Sequence, residues 1–327
     1  MRNLIINFLS NIKYINDYYT GLATVFMLHR VYPFATNKLA SNECLKISPE
    51  FLDEFIFTLK TNGYEIISLN TLYTILTRGE KTEKKIVFTL DDGYKDNYTH
   101  AYPIFAKHNA PFTIYITTSF PDKKAILWWY ILEDLLLEHD ELNLSNGQSF
   151  QCGNLKEKEF AFLQIRKIIM SLPKKYFLHS LNELFIYYNV NWHSKCDQLV
   201  MNWEQIKILS GNKLCTIGGH TLNHYSLNQL EKTEIETEVL EANRLLENKI
   251  GQKIEHFAYP FGGSEAIGKR ECDIVNKFNF KTATTTRNGN IFLKHRNHLE
   301  CLPRIYLGEK FSLRDIGRIK RKRIAYL

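Results

Sequence analysis

Apolar positions along this chain follow two rhythms: short unbroken runs, and longer stripes with a helical period. Ala23–Leu28 is one such run and ends at His29; Lys85–Leu90 is a second and delivers Asp91-Asp92-Gly93 to its end. Residues 112–117 and 214–218 repeat the pattern, the latter leading into His220. Runs of this length, bounded by polar or glycine-bearing segments, predict buried strands. Helical signals lie between them. Ser48-Pro49 reads as a cap followed by a proline in the first turn, and Phe51, Phe55 and Leu59 share one face before Gly63. A short strand at 65–68 is followed by a helix from Asn70 to near Gly79, and another helix is predicted over 96–108. Residues 231–250 carry Ile235, Val239, Ala242, Leu246 and Ile250 at helical spacing and stop at Gly251. Short strands at 256–258 and 282–285 complete the series. Strand alternating with helix predicts a mainly parallel sheet with helices packed outside it.

The rhythm breaks between about 120 and 205. Residues 128–139, 156–172 and 174–188 all read as helices, with Pro173 between the last two. The expected organisation is therefore an amino-terminal helical segment (1–22), an α/β body in two pieces (23–119 and 206–310), a mostly helical insertion (120–205) and a basic tail (311–327). With 327 residues, 44% hydrophobic and 24% charged, the composition is that of a globular protein and excludes a disordered one.

Charge and cysteine usage narrow the setting. The net charge of +7 owes much to Arg314, Arg318, Lys320, Arg321, Lys322 and Arg323. Such a tail reads first as a solvated helix or frayed end, and second as an attraction to anionic lipid or a phosphate-bearing substrate. The six cysteines form no Cys-x-x-Cys pair, which suits neither a zinc ribbon nor a dense disulfide framework; reduced thiols in the cytoplasm are the simplest account. After Arg2, the apolar run at 4–9 is interrupted by Asn7, so no secretory-signal pattern is read there. No stretch approaches the roughly 20 apolar residues of a membrane span. A cytoplasmic location is expected, with membrane association on the cytoplasmic face as a further reading. No basic-aromatic stripe suggests nucleic acid as a partner.

Three segments carry chemistry, each following an apolar run: Thr89-Leu90-Asp91-Asp92-Gly93, Gly219-His220-Thr221-Leu222-Asn223-His224 and Phe257-Ala258-Tyr259-Pro260-Phe261-Gly262. In parallel α/β folds the strand ends are where side chains converge on a ligand. Adjacent carboxylates at a strand end point in different directions, so one can ligate a metal while the other faces a reacting water. The competing reading is an ordinary Asp-Gly turn. The spacing of His220 and His224 places both imidazoles on one face of a helical turn, here opening at a flexible Gly218-Gly219; the competing reading is two surface histidines. Two His and one Asp make a three-ligand set with an open position for water.

Taken together, these residues resemble the polysaccharide deacetylases, a carbohydrate esterase family with the NodB-homology fold. Its first two signatures, Thr-Phe-Asp-Asp-Gly and His-Ser/Thr-x-x-His, are matched here by residues 89–93 and 220–224, in that order. The resemblance extends through Leu28-His29-Arg30-Val31, residues 47–72, Trp128-Trp129 and Leu302-Pro303-Arg304-Ile305, and the insertion accounts for the long spacing between the signatures. It implies an α/β fold, a distorted (β/α) barrel with a mostly helical insertion. It implies a divalent metal, most often zinc, on Asp92, His220 and His224, with Asp91 as general base. It also implies an oxyanion and substrate site at Tyr259, Pro260 and Phe261, with a backbone N–H near Tyr259-Pro260 as donor. Two departures stand out. The family's Arg-x-Pro-Tyr is Ala258-Tyr259-Pro260-Phe261 here, which leaves Arg304 on a neighbouring strand as the candidate replacement for the arginine. The family's carboxy-terminal histidine has no match, since His295 and His298 lack the apolar flank, so His29 is the candidate proton donor; a structural role is its competing reading.

The implied function is metal-dependent N-deacetylation of an N-acetylated sugar that is lipid-, nucleotide- or polymer-linked, in a surface glycan, a glycolipid or a precursor. Two alternatives stay open: a hydrolase of a non-sugar amide on the same fold, and a glycan- or membrane-binding module that has lost catalysis. The insertion is expected to serve as a lid or as a membrane-facing surface.

Overall fold

Seven parallel strands close into a barrel in the computed structural model, which describes residues 21–316. They are β1 (Ala23–Leu28), β5 (Lys85–Leu90), β6 (Phe112–Ile116), β9 (Cys215–Gly219), β10 (His256–Ala258), β11 (Thr282–Asn288) and β12 (Leu302–Tyr306). Closure comes from β1, which pairs with β12 on one side and with β5 on the other. β4 (Glu65–Ile66) adds to the start of β5 outside the ring. Two two-stranded additions, β2 (Arg30–Val31) with β3 (Lys46–Ile47) and β7 (Glu141–Asn143) with β8 (Ser149–Gln151), stand apart from the barrel. Strands buried on both faces have no polar side to show, which is why β1 and β5 are nearly continuous apolar runs. Phe26, Phe88 and Phe112 pack towards the outer helices in one cluster, while Val25, Val87 and Tyr115 fall in another.

The helices start and stop where local chemistry directs. Helix α1 (Pro49–Thr61) opens on Ser48, whose hydroxyl accepts the Phe51 N–H, and α2 (Leu69–Arg78) opens on Ser68 in the same way and ends on a left-handed Gly79. The helix predicted over 96–108 is split. Asn97–Ala101 forms one wide π turn and α3 (Tyr102–Lys107) continues it. Pro103 lies just beyond the wide turn and has no N–H to bond back, which accounts for the widened turn before it.

Between β6 and β9 the chain forms α4 (Trp128–Glu138), α5 (Leu155–Ser171) and α6 (Phe177–Leu184) around a core of their own that includes Leu132, Leu136, Phe162, Ile165 and Phe185. The β7–β8 hairpin in this region was not anticipated. Its cues were Leu142 and Leu144, buried between exposed polar neighbours, and the Asn146-Gly147 turn with Gly147 at φ +85°. After α7 (Trp203–Ser210), α8 (Lys232–Ile250) covers β9 and ends on left-handed Gly251, and α9 (Lys269–Asn276) precedes β11. Among the described residues no helix is long and apolar enough to cross a membrane. The expected amino-terminal helical segment and most of the basic tail lie outside the described residues.

Candidate active site

Four strand ends meet at one mouth of the barrel. β5 ends at Asp91 and Asp92, and the Asp91 N–H donates to Leu28 O (2.9 Å), tying that end to β1 and to His29. β9 ends at His220, whose N–H donates to Ile116 O (3.0 Å). β10 runs into Tyr259-Pro260-Phe261. Gly218 is needed in β9 for space: a Cβ there would stand 2.5 Å from the Tyr115 ring and 2.9 Å from His256 O. The expected flexible opening at Gly218-Gly219 is instead a packed strand.

Asp92, His220 and His224 converge. Asp92 Oδ1 lies 3.3 Å from His220 Nε2 and 3.1 Å from His224 Nε2, and all three candidate ligand atoms fall within 4.8 Å of one another. The convergence does not arise on a helical turn, as the spacing had suggested. Residues 220–224 are a loop that bends through left-handed backbone at Thr221 (φ 65°) and His224 (φ 59°), and Asp92 itself is left-handed (φ 74°). Three non-glycine residues in that region mark a conformation imposed by tertiary contacts.

The contacts that hold this loop come mostly from one side chain absent from the sequence reading. Glu238, on the buried face of α8, accepts from the N–H groups of Leu222 (3.1 Å) and Asn223 (2.9 Å) and from Asn223 Nδ2 (2.6 Å). Burial raises its carboxyl despite these donors. Its signal was a glutamate in the apolar stripe between Ile235 and Ala242. The Thr221 hydroxyl accepts the His224 N–H (3.0 Å). His220 Nδ1 donates to Ala258 O (2.7 Å), which turns Nε2 towards Asp92 (3.3 Å). Aromatic rings confine His224, with centroids at 4.9 Å for Phe261 and 5.7 Å for Trp129; Trp129 is anchored to the Tyr94 hydroxyl (3.3 Å).

This set fits a cation. Asp92 Oδ1 is buried with no hydrogen-bond partner although two imidazole nitrogens stand beside it, so the three groups aim at a shared point rather than at each other. Ligands about 2.1 Å from a tetrahedral ion are about 3.4 Å apart, near the two spacings found here. Burial pushes the Asp92 carboxyl up, but His224 and His220 outweigh it and hold Asp92 well below the usual carboxylate range.

Arg304 reaches Asp91. Its Nη1 and Nη2 donate to Asp91 Oδ1 (2.6 Å) and Oδ2 (2.7 Å), a bidentate pair. Nε donates to Thr285 O (2.9 Å) and Nη1 also to the Thr89 hydroxyl (3.1 Å), so the guanidinium is fully enclosed. Burial raises the Asp91 carboxyl, Arg304 lowers it, and the net shift is downward, so Asp91 is ionised at neutral pH. Asp91 is thus held by an arginine from β12, while position 258 before Tyr259 is an alanine.

His29 is half-buried beside the two aspartates, and its Nδ1 has no hydrogen-bond partner. Burial lowers its pKa against the opposing pull of Asp92 and Asp91. The strand end that carries it is anchored by Asn97 Nδ2, which donates to His29 O (2.8 Å), and by the buried Arg30–Asp96 pair (2.7 Å). Tyr259 requires a correction. Its N–H donates to Thr284 O and its hydroxyl to Glu300 O, so both belong to the scaffold, and Pro260 has no N–H. Among the described residues the Phe261 N–H has no backbone acceptor, which leaves it as the donor of that loop. Phe261 and Gly262 both have positive φ (61° and 46°), and a Cβ at Gly262 would stand 2.6 Å from Thr286 N.

A closed parallel barrel with a buried carboxylate–imidazole cluster and a second, arginine-paired carboxylate at its strand ends is the build of a hydrolase that activates water. A polysaccharide deacetylase family model matches residues 78–146 and 176–283, more than half of the chain. The chain belongs to the polysaccharide deacetylase family. YxkH of Bacillus subtilis (strain 168), provisionally named a polysaccharide deacetylase, is 31% identical over 81 residues; that match spans 24% of this chain and only 29% of YxkH. Among solved structures, the Streptococcus pyogenes deacetylase PplD in complex with acetate aligns with a TM-score of 0.60 at 18% identity, covering 91% of this chain and 97% of its own. IcaB from Ammonifex degensii aligns at 0.56 and 17%, covering 88% and 92%. The de-N-acetylase from Aggregatibacter actinomycetemcomitans aligns at 0.55 and 15%, covering 91% and 99%. At these identities the likeness is one of fold.

Proposed function

We propose that this protein removes the acetyl group from an N-acetylated sugar, hydrolysing the acetamide to a free amine and acetate with a divalent cation, zinc by the ligand set, on Asp92, His220 and His224. The observation that carries the proposal is the pairing of that cluster with a second carboxylate, Asp91, that is not one of its ligands. A purely structural metal site has no use for a neighbouring ionised aspartate locked by an arginine.

The cation, when bound, supplies Lewis-acid activation of the water and of the acetamide carbonyl. Asp91 takes the proton from the attacking water. Arg304 keeps Asp91 ionised and fixes both of its oxygens, so the base is oriented before substrate arrives. The Phe261 N–H donates to the oxygen on which negative charge develops. His29 passes a proton to the departing nitrogen. Glu238 and the Ala258 carbonyl keep His224 and His220 in place throughout. The acetylated sugar is taken to be lipid-, nucleotide- or polymer-linked, and peripheral contact with the cytoplasmic face of a membrane through the insertion or the basic tail belongs to the same reading.

The purified protein is expected to release acetate from N-acetylhexosamine conjugates and not from simple amides. Chelator should abolish the activity, added zinc should restore it, and Asp91→Asn should lower kcat by about 10²–10⁴-fold. Activity untouched by both chelator and Asp91→Asn would sink the proposal; acetate release from simple amides alone would favour the non-sugar hydrolase.

A further inference from the structure

We propose that the groove between the barrel mouth and the insertion binds a phosphate or diphosphate carried by the acetylated sugar, with Lys124 and Lys174 as its partners; this rests on the deacetylase reading above. The groove is open to solvent and continuous with the cluster, because His224 forms part of its wall. Trp129, Phe177 and Lys174 of its lining come from the insertion, with Lys124 at its start. Lys174 stands over the Phe177 ring (4.6 Å), Phe177 packs edge-on against Tyr225 (5.8 Å), and Tyr225 is the chain neighbour of His224. The cation is therefore two rings away from a candidate metal ligand.

Among the described residues no carboxylate lines this groove. Lys174 Nζ donates to Met170 O (3.0 Å) and more weakly to Ile169 O (3.5 Å) at the end of α5, and among the described residues neither lysine has an acidic partner. Burial pushes the Lys174 amine down to about 8, so it is still largely charged at neutral pH but held at a cost. A neutral sugar chain needs hydroxyl partners and flat rings, and gains nothing from two uncompensated amines. A phosphate supplies the missing negative charge to both. In a glycosyl phosphate of a 2-acetamido sugar, the phosphate lies a few bonds from the acetamide, so both ends can be engaged at once. Ile169, Met170 and Lys174 also fall in the stretch 147–175 that the family match does not cover.

The test compares acetate release from one N-acetylhexosamine in three forms: a neutral oligosaccharide, a nucleoside diphosphate sugar and a polyisoprenyl diphosphate sugar in micelles. At least one phosphate-bearing form should show kcat/KM ten or more times that of the neutral form, and which one does so identifies the carrier. Lys174→Met should cut that preference at least fivefold, mainly through KM, and Lys174→Arg should restore most of it. Because Lys174 also caps α5, exposed Lys124→Ser is the second variant, and it should lower the preference without disturbing the helix end. An equal or greater kcat/KM for the neutral form, or a preference unchanged in both lysine variants, would overturn the proposal and leave deacetylation standing. If none of the three forms releases acetate, the deacetylase reading fails, and the groove is still tested by binding. In chelator-stripped protein, inorganic diphosphate should change tryptophan fluorescence saturably, and more weakly in Lys174→Met. Absence of saturation would refute the anion site.

Discussion

Arg304 and Asp91 show how much of a site can rest on one buried pair. Two parallel hydrogen bonds hold the carboxylate, and two further acceptors hold the guanidinium. Removing one partner of such a pair strands a buried charge, so Arg304→Met should cost about 3–5 kcal/mol of stability, read by denaturant unfolding. It should also move the acid limb of the pH–rate profile to higher pH, because the Asp91 carboxyl loses the cation that depresses it. An unmoved limb would mean that Asp91 is not the base. His29 is a different case. Its lowered pKa leaves little imidazolium above neutral pH, yet two aspartates beside it favour the proton once charge builds up in the site. His29→Ala should reduce kcat about 10²-fold with KM little changed. Intact turnover in the purified variant would assign the histidine a structural role.

The loop 220–224 acquires its shape from elements remote in sequence. A His-x-x-x-His spacing read alone suggests a helix, because i and i+4 lie on one face. Here Glu238 on α8 offers acceptors to the loop's own amides, and those bonds replace the helical ones. Glu238→Ala should therefore weaken metal binding about 10–100-fold in chelator competition while the barrel still folds; Glu238→Gln, which keeps one acceptor, should lose less. Trp129 gives α4 a comparable part, since its ring stands against His224 and its N–H is held by Tyr94. The insertion thus furnishes part of the wall of the centre.

Across the chain, burial places histidines where a proton is unwelcome. His256, at the start of β10, is enclosed between Thr282 and Asn70, and burial lowers its pKa to about 4; His295 is lowered to about 4 as well. A group whose folded pKa is depressed favours the unfolded state once that state takes up the proton. Each histidine therefore contributes fully above pH 6.5, and its contribution is lost as pH falls from 6.5 towards 4, at up to about 1.4 kcal/mol per pH unit. His256→Asn should flatten the fall in unfolding free energy between pH 7.5 and 4.5, measured by urea titration. An unaltered slope would mean that the imidazole is not held neutral.

The fold was legible in the chain because buried parallel strands must be apolar on both faces and helix ends must satisfy their own backbone groups. Those demands are local and leave marks at Ser48, Ser68, Gly79 and Gly251. Asp91, Asp92, His220, His224 and Arg304 could be singled out as candidates for a related reason: a site needs particular functional groups, and these stand at or near one strand end after another. What the linear order left undecided was everything set by contact at a distance. It did not reveal that Arg304 crosses to Asp91, that the histidine loop is bent rather than helical, that Tyr259 is spent on the scaffold while Phe261 holds the free N–H, or that two lysines face the groove. Those outcomes depend on which side chains meet when a barrel closes and an insertion folds back over its mouth, and no run of neighbours along the chain encodes that meeting.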